Sequence, residues 1–133
     1  MSGFPSLAWF EAARASANAD AAFRRLGTAD TRFAVKQGDA IVEVQLDAFE
    51  VGTIAERQPD ELREFDFYIE MNAEQWRTYL EGLRGKGQRR SISDIDLLTD
   101  GGVVQGSNAY GKNNLLRYVC SVDRFFELGA RNL

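Results

Sequence analysis

The hydrophobic period of this chain changes twice, and the changes divide it into stretches that cannot share one secondary structure. From Leu7 to Leu26 apolar residues recur at helical spacing, between Thr31 and Met71 they alternate with polar ones, and from Ala73 helical spacing returns. A helix gathers i, i+3, i+4 and i+7 on one face and a strand gathers every second residue. Either pattern folded as the other exposes its apolar side chains. Strands segregated from helices predict an α+β fold rather than a doubly wound α/β domain.

Pro5 at a first-turn position, followed by Leu7, Phe10, Ala13 and Ala17, predicts a first helix. Asn18 reads as the N-cap of a second, with Ala19, Ala22, Phe23 and Leu26 on its apolar face and Gly27 as its stop. Phe33 and Val35, the turn Gln37-Gly38-Asp39, and Val42, Val44 and Leu46 form a β-hairpin. Phe49, Val51 and Thr53 suggest a third strand after Asp47-Ala48, and the polar segment from Glu56 to Glu64 reads as a loop. A fourth strand, Phe65 to Met71, places Phe65, Phe67, Ile69 and Met71 on one face and Asp66, Tyr68 and Glu70 on the other, in a sheet expected to be antiparallel. Asn72 and Gln75 match a capping box ahead of a helix carrying Ala73, Trp76, Tyr79, Leu80 and Leu83. Ser93 is expected to cap a shorter helix with Ile95, Leu97 and Leu98, ended by Asp100-Gly101-Gly102. A short strand Val103-Val104-Gln105 and a helical tail from Leu115 to Leu128 follow.

The 133 residues fit one domain spanning 1–133, with no internal repeat or interdomain linker. A net charge of −4 argues against nucleic-acid binding, which needs a basic face. No apolar run approaches the ~18 residues of a membrane span, so integral membrane association is not expected. In SLAWFEAARASANA, Glu11 and Arg14 interrupt any leader-like apolar run, and the stretch reads as a helix of the mature protein. The lone cysteine, Cys120, is expected to be a buried small hydrophobe in a reducing, cytoplasmic compartment. The chain contains no histidine, which excludes Ser-His-Asp and Cys-His nucleophile systems and removes the commonest zinc ligand. No metal or other cofactor is expected.

Gly106-Ser-Asn-Ala-Tyr-Gly111-Lys112 fits the first seven positions of a phosphate-binding P-loop, but Asn113 replaces the hydroxyl that ligates magnesium. The residues after it read as helix, without a strand ending in aspartate to hold the metal. A strand-to-helix corner is the better reading. Asp94, Asp96 and Asp100 lack the glycine and terminal glutamate of a calcium loop and are read as ordinary helix-start acids. Arg84, Lys86, Arg89 and Arg90 in RGKGQRR form either a solvated loop or an anion site for a carboxylate, a phosphate-bearing carrier or a lipid headgroup. Asp66, Tyr68 and Glu70, sharing one strand face, are the available acid/base candidates if that face lines a dry pocket. Trp76, Tyr79, Tyr110, Tyr118, Phe125 and Phe126 fall on the inner faces of the later helices, where they either pack a core or enclose an apolar cavity.

The hairpin turn Gln37-Gly38-Asp39 followed by VEVQL, the passage FDFYIEMNAEQWRTYLEGL, and DLLTDGGVVQG with its glycine-bracketed strand together resemble the sterol carrier protein type two lipid-binding superfamily. The resemblance covers nearly the whole length. It implies a five-stranded, mainly antiparallel sheet covered by helices, with an apolar tunnel between them for a sterol or steroid, fatty acid or acyl-CoA. Ala48 stands where such sequences often carry glycine after aspartate. On this reading Trp76, Tyr79, Leu80, Leu98, Val104, Tyr110, Tyr118 and Phe126 line the cavity, and Lys112 joins the basic residues as a charge near its entrance. The expected activity is carriage or presentation of a hydrophobic small molecule, with no catalytic role required. The alternatives are a small isomerase, cyclase or hydratase using Asp66, Tyr68 and Glu70, and an accessory subunit that docks a pathway enzyme or pairs as a homodimer.

Overall fold

The computed structural model describes residues 4–26, 28–106 and 110–131. In chain order the elements are α1 (Leu7–Asn18), α2 (Ala21–Arg25), β1 (Ala29–Gln37), β2 (Ala40–Ala48), β3 (Glu50–Glu56), a 3₁₀ turn (Pro59–Glu64), β4 (Phe67–Glu70), α3 (Ala73–Leu83), α4 (Ile92–Leu98), β5 (Val104–Gln105) and α5 (Tyr110–Ala130). The fold is α+β. Its five strands lie in the order β3-β2-β1-β4-β5, and every neighbouring pair is antiparallel except β1 with β4.

Helices cover one face of this sheet. Phe33, Val35, Val44, Leu46, Phe67 and Ile69 point into a core shared with Trp9 and Phe10 of α1, Trp76 and Leu80 of α3, and Phe125 and Phe126 of α5. The parallel register sets Phe33 beside Phe67, and their rings stack 5.2 Å apart at an interplanar angle of 4°. Phe126 touches Trp76 at 5.4 Å and Tyr79 at 5.7 Å between ring centroids, so aromatic side chains fill the space between sheet and helices by direct contact. The Trp76 indole N–H donates to the Lys36 carbonyl at 3.2 Å, joining α3 to the end of β1.

The other face of the sheet is largely polar. Phe65, expected beside Phe67 and Ile69, lies just before β4 begins and packs instead with Ala34 and Ile41 under Leu62 of the 3₁₀ turn. The Arg32 guanidinium sits 5.2 Å from the Phe65 ring centroid. Next to it Glu43, 2% exposed, accepts from Arg32 Nε at 2.8 Å and from Arg57 Nε at 2.8 Å.

Several boundaries differ from expectation for visible reasons. Ser6 rather than Pro5 opens α1, its hydroxyl accepting from the Trp9 amide. Asn18 ends α1 and caps nothing, because its amide group is spent on β3: Oδ1 accepts from Val51 N at 2.7 Å and Nδ2 donates to Val51 O at 3.1 Å. Arg14 donates to the neighbouring Gly52 carbonyl at 3.0 Å. Asp20 caps α2. Ser91, not Ser93, caps α4, while the capping box of Asn72 and Gln75 forms as the spacing requires. Ala48 turns the chain from β2 to β3 at φ 56°, a left-handed conformation that suits glycine better than alanine. Cys120 is exposed, not buried: α5 leaves helical geometry at Tyr118 (φ −115°, ψ 15°), which shifts the phase of the helix so that Ser121 and Val122 turn inward.

Candidate functional site

α3 and α4 diverge from a common anchor and leave a groove of about 530 Å³ open to solvent between them. The capping box fixes the start of α3 and points one face of that helix, Gln75, Thr78 and Tyr79, into the groove. Ile95, Leu98 and Thr99 face them from α4 and its end, and Gln88 and Arg90 come from the connecting loop. Its lining mixes apolar with polar side chains, as small-molecule sites do.

The anchor is Asp123 of α5. One carboxylate oxygen, Oδ1, accepts from the Tyr79 hydroxyl at 2.7 Å and from the Ile92 amide at 3.0 Å, tying α5 to both helices at once. Burial pushes the Asp123 carboxyl above the ordinary carboxylate range, and the hydrogen bond from Tyr79 only partly opposes it. Burial, with the Asp123 charge adjoining, pushes the Tyr79 phenol well above its usual range. The pair positions the groove floor, and the phenol stays protonated. A carboxylate within the apolar run of α5 was the sequence signal for this anchor, since Val119, Asp123 and Phe126 fall on one helical stripe.

The residues expected to line a cavity divide between two environments. Tyr79 and Leu98 both line the groove, although Leu98 is 67% exposed and stands at its rim. Trp76, Leu80, Val104 and Phe126 lie in the packed core, each fully buried, and Tyr118 is half-buried against that core. The side chains of Tyr110 and Lys112 lie outside the described residues.

Asp66, Tyr68 and Glu70 are on the opposite face of the sheet from the groove. The Asp66 carboxylate accepts from the Thr31 hydroxyl at 2.7 Å and the Arg32 amide at 3.0 Å, and Glu70 pairs with Lys36 at 2.9 Å. Tyr68 instead lines a separate surface cleft with Leu62 and Arg63. The three do not converge on one point.

Of the basic residues, Arg90 faces the groove and bonds Gln88, whereas Arg89 turns away and pairs with Glu127 at 2.9 Å. Lys86 is exposed. Asp96 serves the sheet, since its Oδ1 accepts from the amides of Val103 and Val104 at 2.8 and 2.9 Å and holds β5 in place. Among the described residues no group of three acids or thiols is placed to hold a metal ion. The P-loop resemblance finds no support in topology, because β5 is a two-residue antiparallel strand at the sheet edge and not a buried parallel strand; residues 107–109 of that stretch lie outside the described residues.

No helix among the described residues is long and apolar enough to cross a membrane. No protein-family model matches the chain, and no curated protein matches it. Among solved structures it is similar to the solution structure of a conserved hypothetical protein of Thermus thermophilus, named as a possible sterol carrier protein. That likeness spans 93% of this chain and 85% of that one, with a TM-score of 0.66 and 18% identity. At this identity the likeness is one of fold, and it agrees with the five-stranded α+β arrangement.

Proposed function

We propose that this chain binds a hydrophobic small molecule and carries or presents it, seating the ligand in the groove between α3 and α4. The carrying observation is the groove itself, of about 530 Å³, with Tyr79 and Ile95 offering apolar contact among polar side chains and Leu98 adding an apolar rim. The fold likeness to a protein named as a possible sterol carrier supports lipid or steroid ligands as the class to test first. Apolar contact gains ~25 cal/mol/Å², and an open groove covers only part of a ligand, so affinity no tighter than about micromolar is expected, which suits a protein that must release what it binds.

Displacement of a fluorescent fatty acid by a panel of fatty acids and steroids tests the reading. Leu98→Glu puts a charge at the exposed rim without disturbing the core, and it is expected to weaken binding at least tenfold. Absence of any bound species across the panel would sink the proposal. Binding that Leu98→Glu leaves untouched would move the ligand out of this groove.

A further inference from the structure

The loop joining α3 to α4 has a second side. Gln88 and Arg90 line the groove, while Gly87 and Arg89 line another cleft, of about 490 Å³, that shares no residue with the groove. Arg84 enters this cleft from the end of α3, Arg89 from the loop and Arg131 from beyond α5, around the side chain of Glu127.

Glu127 is 9% exposed and organises the cluster. Its Oε1 accepts from Arg89 Nη2 at 2.9 Å and lies 3.3 Å from Arg124 Nη1, and its Oε2 accepts from Arg131 Nη2 at 2.9 Å. Burial alone would raise the Glu127 carboxyl, but the hydrogen bonds from Arg89 and Arg124 outweigh it and hold it below the ordinary range. Arg124 is balanced elsewhere, since its Nε and Nη2 each donate to Asp20 at 3.0 Å. Three guanidiniums therefore face the cleft against one carboxylate, an excess of two positive charges in a chain whose net charge is −4. Arg84 has no side-chain hydrogen bond or ion pair among the described residues.

A guanidinium offers five N–H donors in a planar fork, so the donors that Arg89 and Arg131 do not direct at Glu127 remain available for a ligand. A buried carboxylate that fixes neighbouring arginines reduces the entropy lost when they close on an anion. The loop leaves room: a Cβ added at Gly85, where φ is +82°, or at Gly87 would meet no atom within 4 Å. We propose that this cleft binds a phosphate dianion, carried either by a free phosphate compound or by a lipid headgroup. A dianion matches the charge excess, and its oxygens accept paired N–H donors; a single carboxylate would leave one positive charge unmatched. The site stands apart from the groove, and its test does not require the groove ligand.

The full chain is titrated with inorganic phosphate at about pH 8, where the dianion dominates, with sodium chloride holding ionic strength constant and calorimetry as readout. In parallel it is sedimented with phosphatidylcholine vesicles with and without phosphatidic acid. Saturable phosphate binding that weakens at least tenfold in Arg84→Gln and is lost in the Arg84→Gln/Arg131→Gln double variant, but persists in Arg90→Gln, supports the site with a free phosphate as its ligand. Preference for phosphatidic acid vesicles without free phosphate binding, abolished by the same variants, supports a headgroup. Arg84→Gln breaks no side-chain hydrogen bond or ion pair among the described residues and should melt like the parent, and matching melts would show that its loss of binding is not unfolding. If inorganic phosphate does not bind and phosphatidic acid confers no preference, the proposal is overturned. It is equally overturned if binding survives the double variant or falls as much in Arg90→Gln.

Discussion

On the open face of the sheet, Glu43 is buried between the guanidiniums of Arg32 and Arg57; behind the covered face, Asp123 is half-buried against a phenol and a backbone amide, with no guanidinium bonded to it among the described residues. Burial disfavours the charge on both. For Glu43 the hydrogen bonds from Arg32 and Arg57 more than reverse that cost, and the carboxyl is held below its ordinary range. For Asp123 the neutral partners are not enough, and burial keeps the carboxyl raised. For Glu43 it is the guanidinium partners that turn the sign. The surroundings differ in kind as well: the covered face is stabilised by apolar and aromatic packing, the open face by paired charge around one small apolar cluster.

The largest test of that contrast is Trp76→Ala against Tyr68→Ala in urea denaturation. Removing the fully buried indole is expected to cost about 3–5 kcal/mol, whereas the half-exposed Tyr68 on the open face should cost about 1 kcal/mol or less. Equal losses would mean that both faces rest on packing. Next in size, Glu43→Gln at neutral pH leaves two guanidiniums without their carboxylate. Because Arg32 and Arg57 are 43% and 32% exposed, water takes up part of the loss, leaving about 1–3 kcal/mol. A folded value below the ordinary one means that Glu43 contributes stability above the usual carboxylate range and loses it as pH falls through the folded value. The difference between Glu43→Gln and the parent should therefore begin to shrink only below the ordinary carboxylate range and close as pH falls through the lowered folded value, read in thermal melts over an acid pH series.

Asp123→Asn should act in the opposite direction. A raised folded value means that stability is fully present below the ordinary carboxylate range and is lost as pH rises through the folded value. At neutral pH the uncharged amide, whose oxygen can still accept from Tyr79 and Ile92, is expected to match or modestly exceed the parent in stability. That advantage should disappear on acidification; a clear loss at neutral pH would show that the charge itself holds α3 and α4 together. Smallest is Ala48→Gly at the β2–β3 turn, where relief of a left-handed alanine outweighs added freedom of the unfolded chain by about 0.5 kcal/mol in favour of the variant. A destabilised variant would place the advantage of alanine in the unfolded state.

What the sequence made legible is what depends on near neighbours. The turn at Gly38, with φ 59°, and the capping box at Asn72 and Gln75 form where the spacing puts them, because their partners lie within a few residues. The direction of β4 was not legible: alternation in Phe67 to Glu70 is the same for either pairing, and only the crossover from β3 makes it parallel to β1. Phe65 kept the alternation on paper yet crossed to the other face, since it precedes the strand. Cys120 was misplaced because a non-helical residue at 118 resets a stripe that a uniform period of 3.6 carries straight through. Of the groove, Tyr79 and Leu98 were visible as apolar helix residues. Their meeting depends on Asp123, which lies 44 residues from Tyr79 and 31 from Ile92, and no local pattern encodes that distance.

The side chains that α1 extends to β3 have a consequence for how copies of this chain behave toward one another. β3 is the outermost strand on its side of the sheet, so its unpaired backbone groups are a template onto which another polypeptide can add a strand. Asn18 occupies both the N–H and the C=O of Val51, and Arg14 occupies the adjoining carbonyl of Gly52. The helix thereby seals the beginning of that edge against strand exchange and fibre growth. The asparagine whose position in the sequence suggested a helix cap serves as the stopper of a sheet.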